Sequence, residues 1–193
     1  GTVGEPCDGV ELQIAEDGEL LIKGDNVFQG YYKNPKATAE TITDGWLHTG
    51  DIASIDEDGY VSIIGRKKEI IITAGGKNIT PVNIEQEVKR HPLVSQCVVI
   101  GDRRPYLIAL ITLDQEALTR FAAEQGMLDE PGAMVGSPLV RETLEQHIEE
   151  VNRNFARVEQ IKRFHILPHD LSQEGGELTP TLKIKRPVVA TKY

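Results

Sequence analysis

Val94-Ser-Gln-Cys-Val-Val-Ile100, then Gly101-Asp-Arg-Arg-Pro105, then Tyr106-Leu-Ile-Ala-Leu-Ile-Thr-Leu113 reads as two buried strands joined across a polar loop. Both runs are rich in apolar and β-branched residues, bounded by turn formers, and short for helices. Helical patterns flank them. Upstream, Pro81 stands where a helix starts, since a first-turn residue needs no N–H partner, and Ile84 and Val88 follow at helical spacing. Downstream, Leu113, Ala117, Leu118, Phe121 and Ala122 mark one apolar helical face, and Val140, Leu144, Ile148, Val151 and Phe155 mark another. A further strand is expected over residues 161–167. Residues 125–137, with their Gly, Pro and Met, read as a surface loop, and residues 175–193 as a polar, Lys-rich tail. Strands and helices thus alternate from residue 65 onward, which predicts a compact α+β unit.

Residues 1–64 have a different character. Val10-Glu-Leu-Gln-Ile14 alternates, Asp17-Gly18 supplies a hairpin turn, and Glu19-Leu-Leu-Ile-Lys23 returns. Asp58-Gly59 repeats the device between residues 51–55 and 60–64, and a short helix is expected over residues 34–42. Short strands with glycine turns predict a small barrel or sandwich. The expected division is therefore a β-rich region, 1–64, and an α+β domain, 65–193.

Composition narrows the functional classes. With 39% hydrophobic and 26% charged residues among 193, the chain is of ordinary globular type, and its net charge of −9 argues against nucleic acid as a partner. Cys7 and Cys97 have no spacing that suggests a disulfide framework or a metal site. The longest apolar runs, such as residues 107–111, fall far short of the roughly 20 residues that cross a bilayer. His48, His91, His147, His165 and His169 lack metal-ligand spacing, and Asp56-Glu-Asp-Gly59 reads as a turn rather than a calcium loop. The abrupt opening, Gly1-Thr-Val-Gly4, is read as a cut from a longer chain.

Three clusters carry candidate chemistry. In Asp44-Gly-Trp-Leu-His-Thr-Gly-Asp51, the last carboxylate is expected at a strand start, where it can accept hydrogen bonds from vicinal hydroxyls or simply close a turn. In Gly65-Arg-Lys-Lys-Glu69, Arg66 offers a planar fork for phosphate or ribose oxygens, or is one of several solvated cations. Gly75-Gly76 follows, where backbone can approach a ligand closely. Gly76-Lys77 imitates the end of a phosphate-binding P-loop, but Ile71 stands where its first glycine belongs and Asn78 replaces Ser or Thr. In Gly176-Glu-Leu-Thr-Pro-Thr-Leu-Lys-Ile-Lys-Arg186, Pro180 stiffens the approach to Lys183 within a basic tail.

Order and spacing add what each cluster lacks singly. Gly18-Glu-Leu-Leu-Ile-Lys-Gly24, Gly30-Tyr-Tyr32, Trp46-Leu-His-Thr-Gly-Asp51, Gly65-Arg-Lys-Lys68 and Thr179-Pro-Thr-Leu-Lys183 together resemble the later core motifs of the adenylate-forming superfamily. That superfamily holds acyl-CoA synthetases, firefly luciferases and nonribosomal-peptide adenylation domains. The wording around Lys183 and in Thr73-Ala-Gly-Gly-Lys-Asn-Ile-Thr-Pro81 is similar to the long-chain fatty acyl-CoA synthetases.

The resemblance implies a two-step ligase: ATP and a fatty acid give an acyl-adenylate and pyrophosphate, and CoA then displaces AMP. It implies that Asp51 holds the ribose hydroxyls, that Arg66 contacts the nucleotide, and that Lys183 is the adenylation lysine. It places the domain hinge at Lys68 and the thioester-step loop at Gly75 and Gly76. Ile72 replaces a common family lysine. Arg103 and Arg104 are candidate contacts for CoA phosphates. The phosphate loop, the acyl tunnel and the magnesium-binding Glu precede this segment in family members. The expectations are thus Mg2+ bound elsewhere, no metal site here, no activity of these residues alone, and partnership with the rest of an N-terminal body. A cytoplasmic enzyme with peripheral membrane contact is expected. Transfer to an acyl carrier protein instead of CoA, or a non-catalytic nucleotide-binding module, are the other readings.

Overall fold

The computed structural model describes residues 2–126 and 131–193. Two compact units divide between Ile70 and Ile71.

In the first unit, β1 (Val10–Ile14) and β2 (Glu19–Gly24) form the hairpin that the Asp17-Gly18 turn signals, with Ile14 opposite Leu20. A short helix, α1 (Pro35–Thr41), follows; Asn34 caps it by accepting the Ala37 N–H at 3.1 Å, and Pro35 takes the first turn. β3 (Ile42–Thr43) leads into β4 (Trp46–Ile55), and β5 (Val61–Arg66) returns beside it. β4 is central: β2 pairs along one edge, while β3 and β5 share the other. The five antiparallel strands make a curled half-barrel around Leu20, Ala53 and Val61. Asp51 lies inside β4, not at a strand start, because pairing with β2 and β3 begins at Trp46 and Leu47. A single 3-10 turn, Lys67–Glu69, ends the unit.

The second unit opens with a small hairpin, β6 (Ile71–Ile72) and β7 (Asn78–Ile79), then α2 (Pro81–Val88), which Pro81 does start. β8 (Val94–Ile100) and β9 (Leu107–Leu113) are antiparallel neighbours. After α3 (Gln115–Glu124) and α4 (Pro138–Asn152), β10 (Ile161–Ile166) pairs with β9 in parallel, giving the order β10-β9-β8. Asp114 caps α3 through the Ala117 N–H at 2.8 Å.

Period-two alternation splits the strands between two cores. Cys97, Val99, Ala109 and Ile111 face the main core, with Ile84 and Val88 of α2, Leu118 of α3 and Leu144 of α4. Val98 and Leu110 face the other way, where the C-terminal segment covers them with Leu167, Leu171, Leu178 and Val189. The unit is therefore three-layered, with helices on one face of the sheet and the tail on the other. Residues 175–193 are not a solvated tail. They form the isolated bridge Leu178–Ile184 and a last helix, α5 (Arg186–Lys192), whose Val189 is fully buried.

Two smaller expectations are also corrected. Phe155 lies beyond the end of α4 and packs from the following loop. Of the expected loop 125–137, residues 127–130 lie outside the described residues; Pro131–Gly136 forms a 3-10 helix and Met134 is 3% exposed, filling the main core. Burial pushes the Cys97 thiol far up, which leaves it an inert core residue, whereas Cys7 is exposed. No helix among the described residues is long and apolar enough to cross a membrane.

Candidate functional site

Asp51 and Arg66 are register partners across β4 and β5. Arg66 Nε forms an ion pair with Asp51 Oδ1 at 3.0 Å, and its Nη1 donates to the Thr49 carbonyl at 3.1 Å. One guanidinium fork therefore spans the Thr49-Gly50-Asp51 bulge within β4. The Thr49 hydroxyl donates to the Leu20 carbonyl at 2.7 Å and accepts the Asp51 N–H at 3.1 Å. Gly50 has φ +71, a conformation that a side chain would oppose. The Asp51 carboxylate stays partly open, at 29% exposure, so a hydroxyl-bearing ligand can reach it.

Beneath this bulge sits a residue that the sequence did not single out. The Glu19 carboxylate, 6% exposed, accepts the Gly50 N–H at 2.8 Å, the Lys67 ammonium at 2.9 Å and His48 Nδ1 at 3.1 Å. Desolvation pushes its pKa up, but the donors from Lys67, His48 and Gly50 outweigh that and hold it below the ordinary carboxylate value. Lys67 also reaches Asp17 Oδ2 at 2.5 Å, and the two hydrogen bonds raise the Lys67 pKa. These partners are far apart in sequence, so no local pattern announces them. A groove of about 630 Å³ opens here, lined by Glu19, Tyr31, His48, Gly50, Arg66 and Lys68. Lys67 is thus pinned while its neighbour Lys68 is exposed. Among the described residues Lys68 has no carboxylate within ion-pair distance.

In the second unit, Gly75 and Gly76 form the tip between β6 and β7. Gly76 donates its N–H to the Thr73 carbonyl at 2.9 Å with φ +73, while Gly75 has no such backbone requirement. The polar loop bearing Arg103 and Arg104 runs alongside. Arg103 N–H donates to the Ile72 carbonyl at 2.8 Å, Ala74 N–H to the Arg104 carbonyl at 3.0 Å, and Ile72 N–H to Asp102 Oδ1 at 3.1 Å. Glycine tip and arginine pair are therefore brought together. Arg103 is almost wholly exposed, with only a long 3.8 Å approach to Asp102.

Lys183 lies on the tail layer, in a tight loop whose ends hydrogen-bond each other. Thr179 N–H donates to the Lys183 carbonyl at 2.8 Å, and Lys183 N–H to Thr179 Oγ1 at 3.0 Å. Leu182 takes φ +60 at the turn, an uncommon conformation for a branched residue. Among the described residues the Lys183 ammonium has no carboxylate within ion-pair distance.

The loop is anchored by Glu177, 1% exposed, which takes the Lys192 ammonium at 2.5 Å, the Tyr193 hydroxyl and the Ser172 N–H, each of the last two at 3.1 Å. The Lys192 hydrogen bond, against desolvation and helped by Ser172 and Tyr193, holds Glu177 down to about 2. A depressed carboxylate contributes stability that is complete above its ordinary value of 4.5 and is lost as pH falls through about 2. Amide exchange in α5 should therefore accelerate between those two pH values in the native chain. Glu177→Gln should remove that pH dependence; an unchanged profile in the variant would rule out this carboxylate as its source.

No group of three or more His, Cys, Asp and Glu side chains able to hold a metal ion occurs among the described residues. Asp51 is engaged by Arg66 and Glu19 by three donors, so the donor set here does not fit a resident magnesium ion.

Known proteins resemble both the fold and the sequence. The family model described as the AMP-binding enzyme C-terminal domain matches residues 68–193. A long-chain-fatty-acid–CoA ligase, FadD15, of Mycobacterium tuberculosis is 48% identical over 100% of this chain and 32% of its own length. A long-chain-fatty-acid–CoA ligase of Drosophila melanogaster, heimdall, is 34% identical over 100% of the chain and 35% of its own length. The chain thus spans about a third of the length of these curated relatives. Among solved structures, the adenylation domain of a carboxylate reductase from Mycobacterium chelonae superposes with a TM-score of 0.77 at 25% identity, covering 98% of this chain and 30% of that one. An o-succinylbenzoate CoA synthetase from Bacillus subtilis, in complex with AMP, gives 0.70 at 23% identity over 97% of this chain and 34% of that one, a likeness of fold. With well over half of its residues matched by the model, the chain belongs to the family of AMP-binding enzyme C-terminal domains.

Proposed function

We propose that this chain is the catalytic lid, with the adjoining β subdomain, of an ATP-dependent long-chain fatty acid–CoA ligase. The observation that carries the reading is the 48% identity to a long-chain-fatty-acid–CoA ligase across the whole chain, with Asp51, Arg66 and Lys183 each held in a defined frame. The working division falls in the basic stretch that opens the 65–193 domain, with Lys68 absorbing the backbone change so that the residues after it move together. Pinning of Lys67 by Asp17 and Glu19 supports a pivot at the next residue, since a hinge needs one fixed side.

In the first half-reaction a fatty acid carboxylate oxygen attacks the α-phosphorus of ATP, and the bond to the departing pyrophosphate breaks. Asp51 accepts hydrogen bonds from the ribose hydroxyls while Arg66 holds the Thr49-Gly50-Asp51 bulge and reaches the nucleotide. Lys183 brings a fixed cation to a junction crowded with negative charge. In the second half-reaction the CoA sulfur attacks the acyl carbon and AMP leaves with the former carboxylate oxygen. Gly75 and Gly76 give a thin backbone beside the pantetheine arm, and Arg103 with Arg104 meets the CoA phosphates. Mg2+, expected from residues outside this chain, neutralises phosphate charge when bound. The compartment expected is cytoplasmic, with peripheral membrane contact for lipid collection.

The test uses the full-length enzyme that carries this chain. Fatty-acid-dependent pyrophosphate exchange and formation of a CoA thioester are expected. Exchange followed by loading of an acyl carrier protein, with CoA inert, would favour the carrier-protein reading; nucleotide binding without exchange would leave only the non-catalytic one. The present chain alone should exchange nothing above background.

A further inference from the structure

Arg186 stands three residues after Lys183, at the start of α5, and is tied into the body of the second unit by a buried pair. Its Nη1 donates to Glu85 Oε1 and its Nη2 to Glu85 Oε2 at 3.0 Å, a two-point pairing between guanidinium and carboxylate. The same Nη1 donates to the Val99 carbonyl at 3.0 Å, while Glu85 Oε1 accepts the Val99 N–H at 2.7 Å. Tail, α2 and β8 therefore meet at one point, with side-chain exposures of 19% for Arg186 and 8% for Glu85.

Apolar burial already attaches this segment. Leu178, Ile184 and Val189 sit against Val98 and Leu110. Apolar contacts tolerate small sliding, whereas a planar fork on a carboxylate fixes direction as well as distance. Replacing a buried pair by apolar residues of similar volume is often neutral or stabilising, so the pairing of charges is not in itself a gain in stability. What it supplies is a frame. The Lys183 loop is closed at its upstream end by the Leu178–Ile184 bridge and by Lys185 N–H on the Glu177 carbonyl at 2.7 Å. Arg186 supplies the downstream anchor.

We propose that Glu85 and Arg186 form a positioning pair for adenylate formation, setting where the Lys183 ammonium is delivered without touching substrate themselves. The inference rests on the adenylation role proposed above for Lys183. The glycine hairpin keeps its own hydrogen bonds to the 101–105 loop, so loss of the pair loosens the tail and leaves the thioester-step elements in place.

The deciding variant is Glu85→Gln/Arg186→Gln in the full-length enzyme, which removes both charges together and keeps an amide at each position for the Val99 N–H and carbonyl. Melting temperature, pyrophosphate exchange and thioester formation from supplied acyl-adenylate are measured side by side. The expected result is a melting temperature near wild type with adenylation kcat lowered on the order of 10–10²-fold, the loss that misplacing a reacting group by about 1 Å produces. KM for ATP and the rate of thioester formation should stay within about threefold. Arg186→Lys, which keeps the charge but not the fork, should fall between. A double variant that adenylates at the wild-type rate overturns the proposal. So does a parallel loss of melting temperature and of both half-reactions, which marks a pair that is only structural. Lys183→Ala is run alongside: if adenylation survives in that variant, the reading of Lys183 falls and this inference with it.

Discussion

Lys183→Ala in the full-length enzyme should lower the rate of acyl-adenylate formation on the order of 10²–10³-fold, as loss of one preorganised donor does. It should leave thioester formation from supplied acyl-adenylate intact. The physical reason is that in the first step a carboxylate attacks a phosphorus of a polyphosphate, anion on anion at the reacting atoms, and a fixed cation lowers that barrier without reorganising. The loop is suited to that role, because its ammonium has no carboxylate partner among the described residues while its backbone is closed on Thr179. Pyrophosphate exchange reports the first step and a coupled CoA assay the second. An equal fall in both would assign Lys183 to holding the fold instead.

Glu19→Ala carries the second large effect, on stability. It removes the common acceptor of three donors and strands the Gly50 N–H, a backbone group whose loss of partner costs about 1–3 kcal/mol. With the charge-assisted bonds lost as well, urea unfolding of the first unit should show a deficit of about 3 kcal/mol. Lys67→Ala should cost much less, about 1 kcal/mol or under, because that ammonium is 42% exposed and solvent screens it. If the two variants unfold at the same midpoint, the ion pair rather than the acceptor site matters. Because Glu19 holds the Gly50 bulge, the Ala variant in the full-length enzyme should also bind nucleotide more weakly.

Much of this was legible before the structure, and the reasons are local. A four-residue stretch ending in Asp17-Gly18 between alternating runs can do little but turn, and β1 and β2 pair across it. Pro81 starts α2, and the two apolar runs around residues 101–105 are neighbouring strands. The motif residues Asp51 and Arg66 lie opposite one another across β4 and β5. What stayed hidden depends on pairs distant in the chain. Glu19 reads as one more surface charge until β4 brings Gly50 and His48 to it and Lys67 returns. The tail reads as polar because Leu178, Ile184 and Val189 follow neither helical nor strand period; an isolated bridge, a tight turn and the short α5 align them on the sheet. Met134 reads as loop for the same reason, its burial set by α3 and α4 closing over it.

The strand that completes the three-stranded sheet, β10, lies parallel to β9. A tight turn cannot deliver a parallel neighbour, so α3 and α4 must be laid down first, and the entropy of closing that long connection opposes assembly before the ladder compensates it. Everything beyond Ile166, including the lysine-bearing loop and its two carboxylate anchors, can settle only onto strands already in register. Clamps that engage after the rate-limiting crossing leave the speed of folding alone and slow escape from the native state. Glu177 is thereby expected to act as a brake on unravelling, and the lysine it frames is held by a segment that packs only on the finished sheet.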